Sequence, residues 1–136
     1  MQDLYQMFGA DVQKEKTGTE IIVGNDPKIS FTVARAGGDN KRYNELLTKL
    51  LAPYRRQLDL GTLSESVSKK IMIEVFCRTC LIGWIGVKNK EAVDVPYNVD
   101  SAMALMEELP DLYNYLWGEA QKLSNYRDET GELAKN

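Results

Sequence analysis

The chain has 136 residues, 43% of them hydrophobic and 27% charged, which is typical of one globular domain with its own core. It contains no histidine, and this excludes Ser-His-Asp catalysis, Cys-His catalysis and histidine-ligated metals. The formal net charge of -3 argues against a dedicated nucleic-acid-binding domain, whose surface is usually strongly basic. The composition therefore makes an enzymatic function less favoured but does not exclude it. We also expect no nucleic acid among the partners.

The two cysteines, Cys77 and Cys80, have CxxC spacing. Zinc needs four ligands, and no second pair and no histidine completes such a site. Because both lie inside an apolar run, we interpret them as reduced core thiols, which fits a cytoplasmic compartment. The longest apolar stretch, residues 80–87, is too short to span a bilayer, and the N-terminus has no signal-peptide pattern. We expect no metal, no cofactor and no membrane partner.

Charge is distributed unevenly along the chain. Residues 35–56 carry six basic and two acidic side chains, a net of +4, whereas residues 91–136 carry ten acidic and three basic ones, a net of -7. Two interpretations stay open. The opposite charges either neutralise each other within one folded domain or form complementary faces for head-to-tail self-association.

The N-terminal part predicts an arm followed by a hairpin. We expect residues 1–18 to form a flexible arm that contains at most one short helix. Residues 19–36 predict a β-hairpin, because Ile29, Phe31 and Val33 alternate with polar residues after a run of turn formers. A two-stranded hairpin is marginal in water by itself, so its apolar face must lie on helices or on a partner.

The first predicted helix of the body, residues 39–126, follows a glycine break. Gly37 and Gly38 end the hairpin, and Asp39 or Asn40 is a natural N-cap. Pro53 ends or kinks this helix. Its apolar stripe, at three- and four-residue spacing, consists of Tyr43, Leu46, Leu47, Leu50, Leu51 and Tyr54.

The second predicted helix is the most apolar. It starts at Thr62, with Glu65 at capping-box spacing, and its apolar side continues to Leu81. Residues 72–84 are apolar nearly all round. We therefore expect this helix to be the central one and to be closed by the segment around Gly83.

Two further helices complete the predicted body of about four. A polar loop or short extended segment over residues 88–95 leads to a third helix over residues 99–109, capped by Asn98 or Asp100. Pro110 stands at the first turn of a fourth helix. Glu107 and Glu108 are adjacent at the end of the third helix, so their side chains point in different directions. This favours a solvated helix face over an acid-base pair.

The fourth helix carries the aromatic residues Tyr113 and Trp117 on one stripe. Aromatic residues are enriched at protein interfaces but also fill cores, and both roles stay open. Residues 127–136 are polar and predict a frayed tail. The expected fold is a single domain over residues 1–136, of class α+β and mostly α, with an N-terminal hairpin followed by helices.

Five short segments occur in a specific order: Ala34-Arg-Ala-Gly-Gly-Asp-Asn-Lys-Arg-Tyr43, Pro53-Tyr-Arg-Arg56, Gly83-Trp-Ile-Gly-Val87, Val95-Pro-Tyr-Asn98 and Leu109-Pro-Asp-Leu112. In this order they resemble the tail assembly chaperones of long, non-contractile-tailed bacteriophages of the lambda-like group. The resemblance runs from about residue 19 to about residue 127.

The resemblance implies a non-catalytic role. Such proteins escort the long tape measure protein and keep it soluble until the tail tube polymerises around it. They act in the host cytoplasm, self-associate into rings or spirals, and are absent from the mature virion. Many are also made in a longer form by ribosomal frameshifting, and the extension recruits tail tube protein. Such a form is a hypothesis here, which a slippery heptamer in the gene would support.

The candidate residues for protein binding and self-association follow from these observations. The resemblance selects Arg35, Asn40, Tyr54, Arg55 and Arg56, with Gly37, Gly38 and Trp84 as structural motif positions; aromatic composition adds Tyr113 and Trp117. No catalytic residue is assigned. Two alternative functions stay open: a structural tail component or completion protein retained in the virion, and a small cytoplasmic regulatory or binding protein.

Overall fold

A computed structural model describes residues 3–127 of the chain. The helices within this range are α1 (Leu4–Phe8), α2 (Val12–Thr17), α3 (Lys41–Leu51), α4 (Arg55–Leu60), α5 (Glu65–Thr79), α6 (Val99–Glu108) and α7 (Pro110–Gln121). The strands are β1 (Thr19–Asn25), β2 (Lys28–Val33) and β3 (Leu81–Ile85), and short 3-10 turns occupy Ala52–Tyr54 and Leu123–Tyr126. The predicted α+β class, with a hairpin near the N-terminus followed by helices, is confirmed.

The hairpin formed by β1 and β2 is part of a three-stranded antiparallel sheet in the order β1-β2-β3, with β2 in the centre. Ile21 of β1 lies opposite Phe31 of β2, and Phe31 in turn lies opposite Trp84 of β3. The alternating face that contains Phe31 and Val33 is buried in the main hydrophobic core. The expectation that this face needs a covering layer is therefore met by the chain itself.

The predicted end of the second helix is wrong, because its last residues form strand β3. Helix α5 stops at Thr79, and the apolar residues that follow leave the helix and pair with β2. Periodicity alone does not separate a short apolar strand from the end of a buried helix. The free edge of β2 decides between them, since it offers backbone partners, and Gly83 is a poor helix former.

Helix α5 occupies the middle of the domain, where it packs against α3, α6 and β3. Val75, Phe76 and Cys77 are almost completely buried. The predicted start of this helix at Thr62 is wrong by two residues. Ser64 is the N-cap, because its hydroxyl oxygen accepts a hydrogen bond of 3.2 Å from the backbone N–H of Val67.

The other helices of the body begin and end close to their predicted positions. Pro53 interrupts the first one, so that α3 passes through a 3-10 turn into the short α4. Asn98 caps α6 with a hydrogen bond of 2.7 Å from the N–H of Ser101. Pro110 is the first residue of α7, as its missing N–H allows.

The two ends of the described chain are packed together. Helix α2 precedes β1 and was not predicted from the sequence. Just before it, Ala10 forms an antiparallel bridge with Arg127. Tyr126 is completely buried, and its hydroxyl donates a hydrogen bond of 2.9 Å to the carbonyl oxygen of Val33. Residue 127, expected to belong to a frayed tail, is thus paired, while the rest of that predicted tail lies outside the described residues.

Between residues 3 and 127, none of the helices has the length and apolar character that a bilayer crossing requires.

Candidate binding surface

Arg35, one of the predicted binding residues, is engaged within the chain. Its guanidinium group donates to the carboxylate of Glu15 at 2.7 Å, and its backbone N–H donates to the Glu15 carbonyl oxygen at 2.9 Å. The Glu15 side chain is only 5% exposed. A buried carboxylate needs such a partner, so this ion pair attaches α2 to the segment that follows β2.

Asn40 is also buried, at the position before α3. Its side chain makes no cap hydrogen bond. Instead, its Nδ2 donates to the carbonyl oxygens of Arg35 and Thr79, both at 2.9 Å. The expected capping role is therefore replaced by a bridge between the segment after the hairpin and the end of α5, and Asp39 pairs with Lys16 at 3.2 Å.

Gly37 and Gly38, in the same segment, differ in why a side chain is disfavoured at each position. Both adopt positive φ, +118° at Gly37 and +53° at Gly38. A Cβ atom on Gly37 would meet nothing within 4 Å, whereas one on Gly38 would overlap the Glu15 carboxylate. Residues 34–40, which belong to the first of the five segments that carry the resemblance, thus form an internal junction of α2, the sheet and α5.

Trp84 is a second internal anchor. Its Nε1 donates to the carbonyl oxygen of Val95 at 2.9 Å. Its ring makes edge-to-face contacts with Phe31 and Tyr97, with centroids 6.1 and 5.2 Å apart. The hydroxyl of Tyr97 donates to the carbonyl oxygen of Leu81. Together these contacts hold the segment before α6 against the outer edge of β3.

The two cysteines lie in the core, with no disulfide between them. Burial raises the pKa of the Cys77 thiol to about 12 and that of the Cys80 thiol to about 11. The nucleophilic thiolate form is therefore scarce at neutral pH. No group of three or more histidine, cysteine, aspartate or glutamate residues in the described part of the chain is arranged to hold a metal ion.

This burial predicts low thiol reactivity in the folded protein. At about pH 8 we expect Ellman's reagent to react with both thiols at least about a hundredfold more slowly in the folded protein than in denaturant, because the thiolate population falls by that order. Stopped-flow absorbance measures both rates, and the unfolded protein provides the control by releasing two equivalents. A fast phase of one equivalent in the folded protein would contradict the assignment.

The remaining predicted residues lie on the surface. Tyr54 is half-buried, and Arg55 and Arg56 are exposed on α4. No residue of α4 is buried, and its two leucines, Leu58 and Leu60, are 43% and 65% exposed. Residues three and four apart share a helix face. The structure therefore places the two arginines beside exposed apolar side chains.

Tyr113 and Trp117 each have one side in the core and one in a groove. The Tyr113 ring packs edge-to-face on Phe76 at 5.5 Å, and the Trp117 Nε1 donates to the Tyr43 hydroxyl at 3.4 Å. Both also line a groove of about 240 Å³ between α5 and α7. Met72 contributes to the same lining. The core and interface roles that stayed open for these aromatics are thus compatible.

Helix α1 is a further exposed apolar element, and its residues are not among the predicted binding residues. Leu4, Tyr5, Met7 and Phe8 are all exposed, Tyr5 by 85%. Asp3 caps the helix through a hydrogen bond of 2.9 Å from the Gln6 N–H. The signal was present in the sequence, because four of the five residues of this helix are large and apolar; no polar face accompanies them.

The basic segment and the acidic segment of the sequence do not neutralise each other through direct ion pairs. In the part of the chain that the structure describes, no ion pair joins residues 35–56 to residues 91–127. The acidic segment instead forms ion pairs with lysines outside residues 35–56, such as Lys90 with Glu108 and Lys122 with Glu119. Lys49, Arg55 and Arg56 therefore remain available for contacts with another molecule.

Comparison with known proteins gives one family. Residues 38–136 match a family model described as "YdaY prophage protein". No curated protein and no solved structure matches the chain significantly.

Proposed function

The chain belongs to the YdaY prophage protein family and is phage-derived, and from this premise we propose that it is a tail assembly chaperone. In this proposal it self-associates, binds the tape measure protein and keeps that protein soluble until the tail tube forms. It acts in the host cytoplasm without entering the mature virion. A longer, frameshifted product would add the contact with the tail tube protein.

The observation that carries the proposal is the exposed apolar surface on α1 and α4. In α1, four of five side chains are large, apolar and exposed, and α4 combines exposed leucines with two arginines. Contiguous exposed apolar side chains mark interaction sites, because they gain free energy when a partner removes them from water. A chaperone for a long client needs such contacts in many weak, repeated copies.

The groove between α5 and α7 supports the same proposal. An amphipathic helix binds a groove by placing apolar side chains from one face into it. Here Tyr113 and Trp117 supply rigid aromatic walls, and Met72 supplies a side chain that adapts to different shapes. These properties fit a long client with a hydrophobic sequence pattern, as the resemblance implies for the tape measure protein.

Self-association in the proposal uses the charges that are not neutralised within the chain. Arg55 and Arg56 are exposed on α4, and Glu107 is exposed near the end of α6. Complementary charges increase association rates and select the correct partner more than they raise affinity. Reversing both arginines to glutamate should therefore weaken higher-order assembly at low salt.

The test is co-expression with the tape measure protein of the same gene cluster. We expect Phe8→Ser and Leu60→Ser each to weaken client binding by about 1 to 2 kcal/mol, the usual cost of truncating an apolar interface side chain. The soluble fraction of the tape measure protein is the readout. Val93→Ser, at a side chain 58% exposed outside α1 and α4, is the matched control.

Two outcomes would contradict the proposal. One is a tape measure protein whose solubility does not depend on this chain. The other is recovery of this chain in purified virions by mass spectrometry, which would favour a structural tail component instead.

A further inference from the structure

One edge of the sheet lacks a backbone partner. Strand β1 pairs with β2 on one side only, and nothing else within residues 3–127 makes a backbone hydrogen bond to residues 20–25. An open edge presents a row of N–H and C=O groups that can pair with another strand. The opposite edge differs, since the segment containing Val95 and Tyr97 covers β3 through the side-chain hydrogen bonds described above.

The composition of β1 does not protect its edge. Proteins usually protect edge strands with proline or with charged side chains, lysine above all. Strand β1 contains neither proline nor lysine, and its one charged residue, Glu20, already pairs with Lys28 at 2.9 Å. Ile22 and Val23 are 49% and 47% exposed. A bulge next to Gly24 disturbs only the turn end of the strand.

We propose that β1 pairs antiparallel with β1 of a second copy of this chain. The two three-stranded sheets then become one continuous sheet around a two-fold axis. Such an interface is isologous, because each strand presents the same residues to the other. The proposal does not depend on tape measure binding, since the strand pair forms between copies whatever third protein they bind.

Charge and face orientation restrict the register. Residues directly opposite each other lie on the same face of a sheet, so continuous faces require the two-fold axis to lie midway between one residue of β1 and the same residue of the second copy, called here an axis at that residue. An axis at Glu20 would set two carboxylates directly opposite each other, which is unfavourable. An axis at Ile21 would set the apolar Ile22 side chain opposite Glu20 of the second copy, whereas an axis at Ile22 sets two apolar side chains opposite each other, and we therefore assign the register at Ile22. In this register the outward-facing Ile22 side chain lies opposite Ile22 of the second copy.

The pairing also extends an apolar row on the outer face of the sheet. Ile22 lies opposite Ser30, and Ser30 lies opposite Ile85, which is 53% exposed. Joining two copies at β1 brings two Ile22 side chains together and removes part of this row from water. A second copy is thus a partner whose edge and faces match those of β1 and whose Glu20 need not lie opposite Glu20 of the first copy.

The experiment compares Ile22→Lys with Ile85→Lys by sedimentation equilibrium, over protein concentrations from micromolar to millimolar. Both positions are exposed on the same outer face, but only Ile22 lies at the open edge. We expect Ile22→Lys to weaken dimerisation at least about tenfold, because two ammonium groups then face each other across the axis. Ile85→Lys should dimerise like the unsubstituted protein. Thermal melting checks that both variants fold.

A cross-linking experiment tests the same contact independently. A short bismaleimide should link Ile22→Cys into a dimer but leave Ile85→Cys as a monomer, while the buried Cys77 and Cys80 stay unmodified. A protein that is monomeric at every concentration overturns the proposal, and so do equal effects of the two lysine substitutions. An Ile22→Lys variant that stays dimeric but no longer keeps the tape measure protein soluble would also overturn it, while leaving the proposed function in place.

Discussion

Replacing Tyr126 with alanine is expected to lower the free energy of unfolding by about 3 to 5 kcal/mol, as for other large aromatic side chains deleted from a core. Tyr126 is completely buried. Its ring is removed from solvent, and its hydroxyl donates a hydrogen bond to the carbonyl oxygen of Val33. The substitution leaves a cavity and also removes that hydrogen bond. Urea denaturation followed by circular dichroism measures the effect.

Two companion variants separate the ring from the hydroxyl. Tyr126→Phe keeps the packing and should cost about 1 kcal/mol, the usual net value of one hydrogen bond. Tyr5→Ala removes a tyrosine that is 85% exposed and should change stability by less than about 0.5 kcal/mol. If Tyr126→Ala were as stable as Tyr5→Ala, the C-terminal segment would not be part of the folded core.

Gly38→Ala is expected to destabilise the protein by about 3 kcal/mol, the lower range for breaking a buried ion pair, with left-handed backbone strain in addition. The added methyl group would occupy the position of the Glu15 carboxylate, which pairs with Arg35. Because Glu15 is buried, its carboxylate depends on this ion pair, and displacing it is costly. Thermal and urea denaturation measure the change.

Gly118→Ala provides the matched control for a glycine. Gly118 lies within α7, and a Cβ there would meet nothing within 4 Å outside its own helix. Alanine should therefore stabilise the protein by about 0.5 to 1 kcal/mol, since glycine is the poorer helix former. Equal destabilisation by both substitutions would show that the Glu15 contact is not the reason for glycine at position 38.

The resemblance predicts a binding role for residues of the first segment, whereas the structure shows them in internal contacts. Residues 34–43 form the first of the five segments that carry the resemblance, and the resemblance predicts Arg35 and Asn40 in it as binding residues. The structure places Arg35 against a buried carboxylate and Asn40 between two carbonyl oxygens. A characteristic motif can therefore reflect the need to join distant elements. In this protein the exposed candidates lie elsewhere, on α1, on α4 and in the aromatic groove.

The sequence by itself determined the elements whose signals are local. Alternation within six residues predicted β2, three- and four-residue spacing predicted α3, and a cap or a proline predicted the starts of α6 and α7. In each case the residues that decide the conformation are neighbours along the chain.

Only the tertiary structure decided the features whose partners are far apart in sequence. Leu81 begins a strand rather than continuing a helix because β2 offers it an edge. Tyr126 is a core residue because Val33, 93 positions earlier, accepts its hydrogen bond. Periodicity shows which face of an element is apolar, but the long-range packing that covers or exposes this face is set by the whole chain. For that reason β1 could be predicted from its sequence, whereas its open edge became visible only in the assembled sheet.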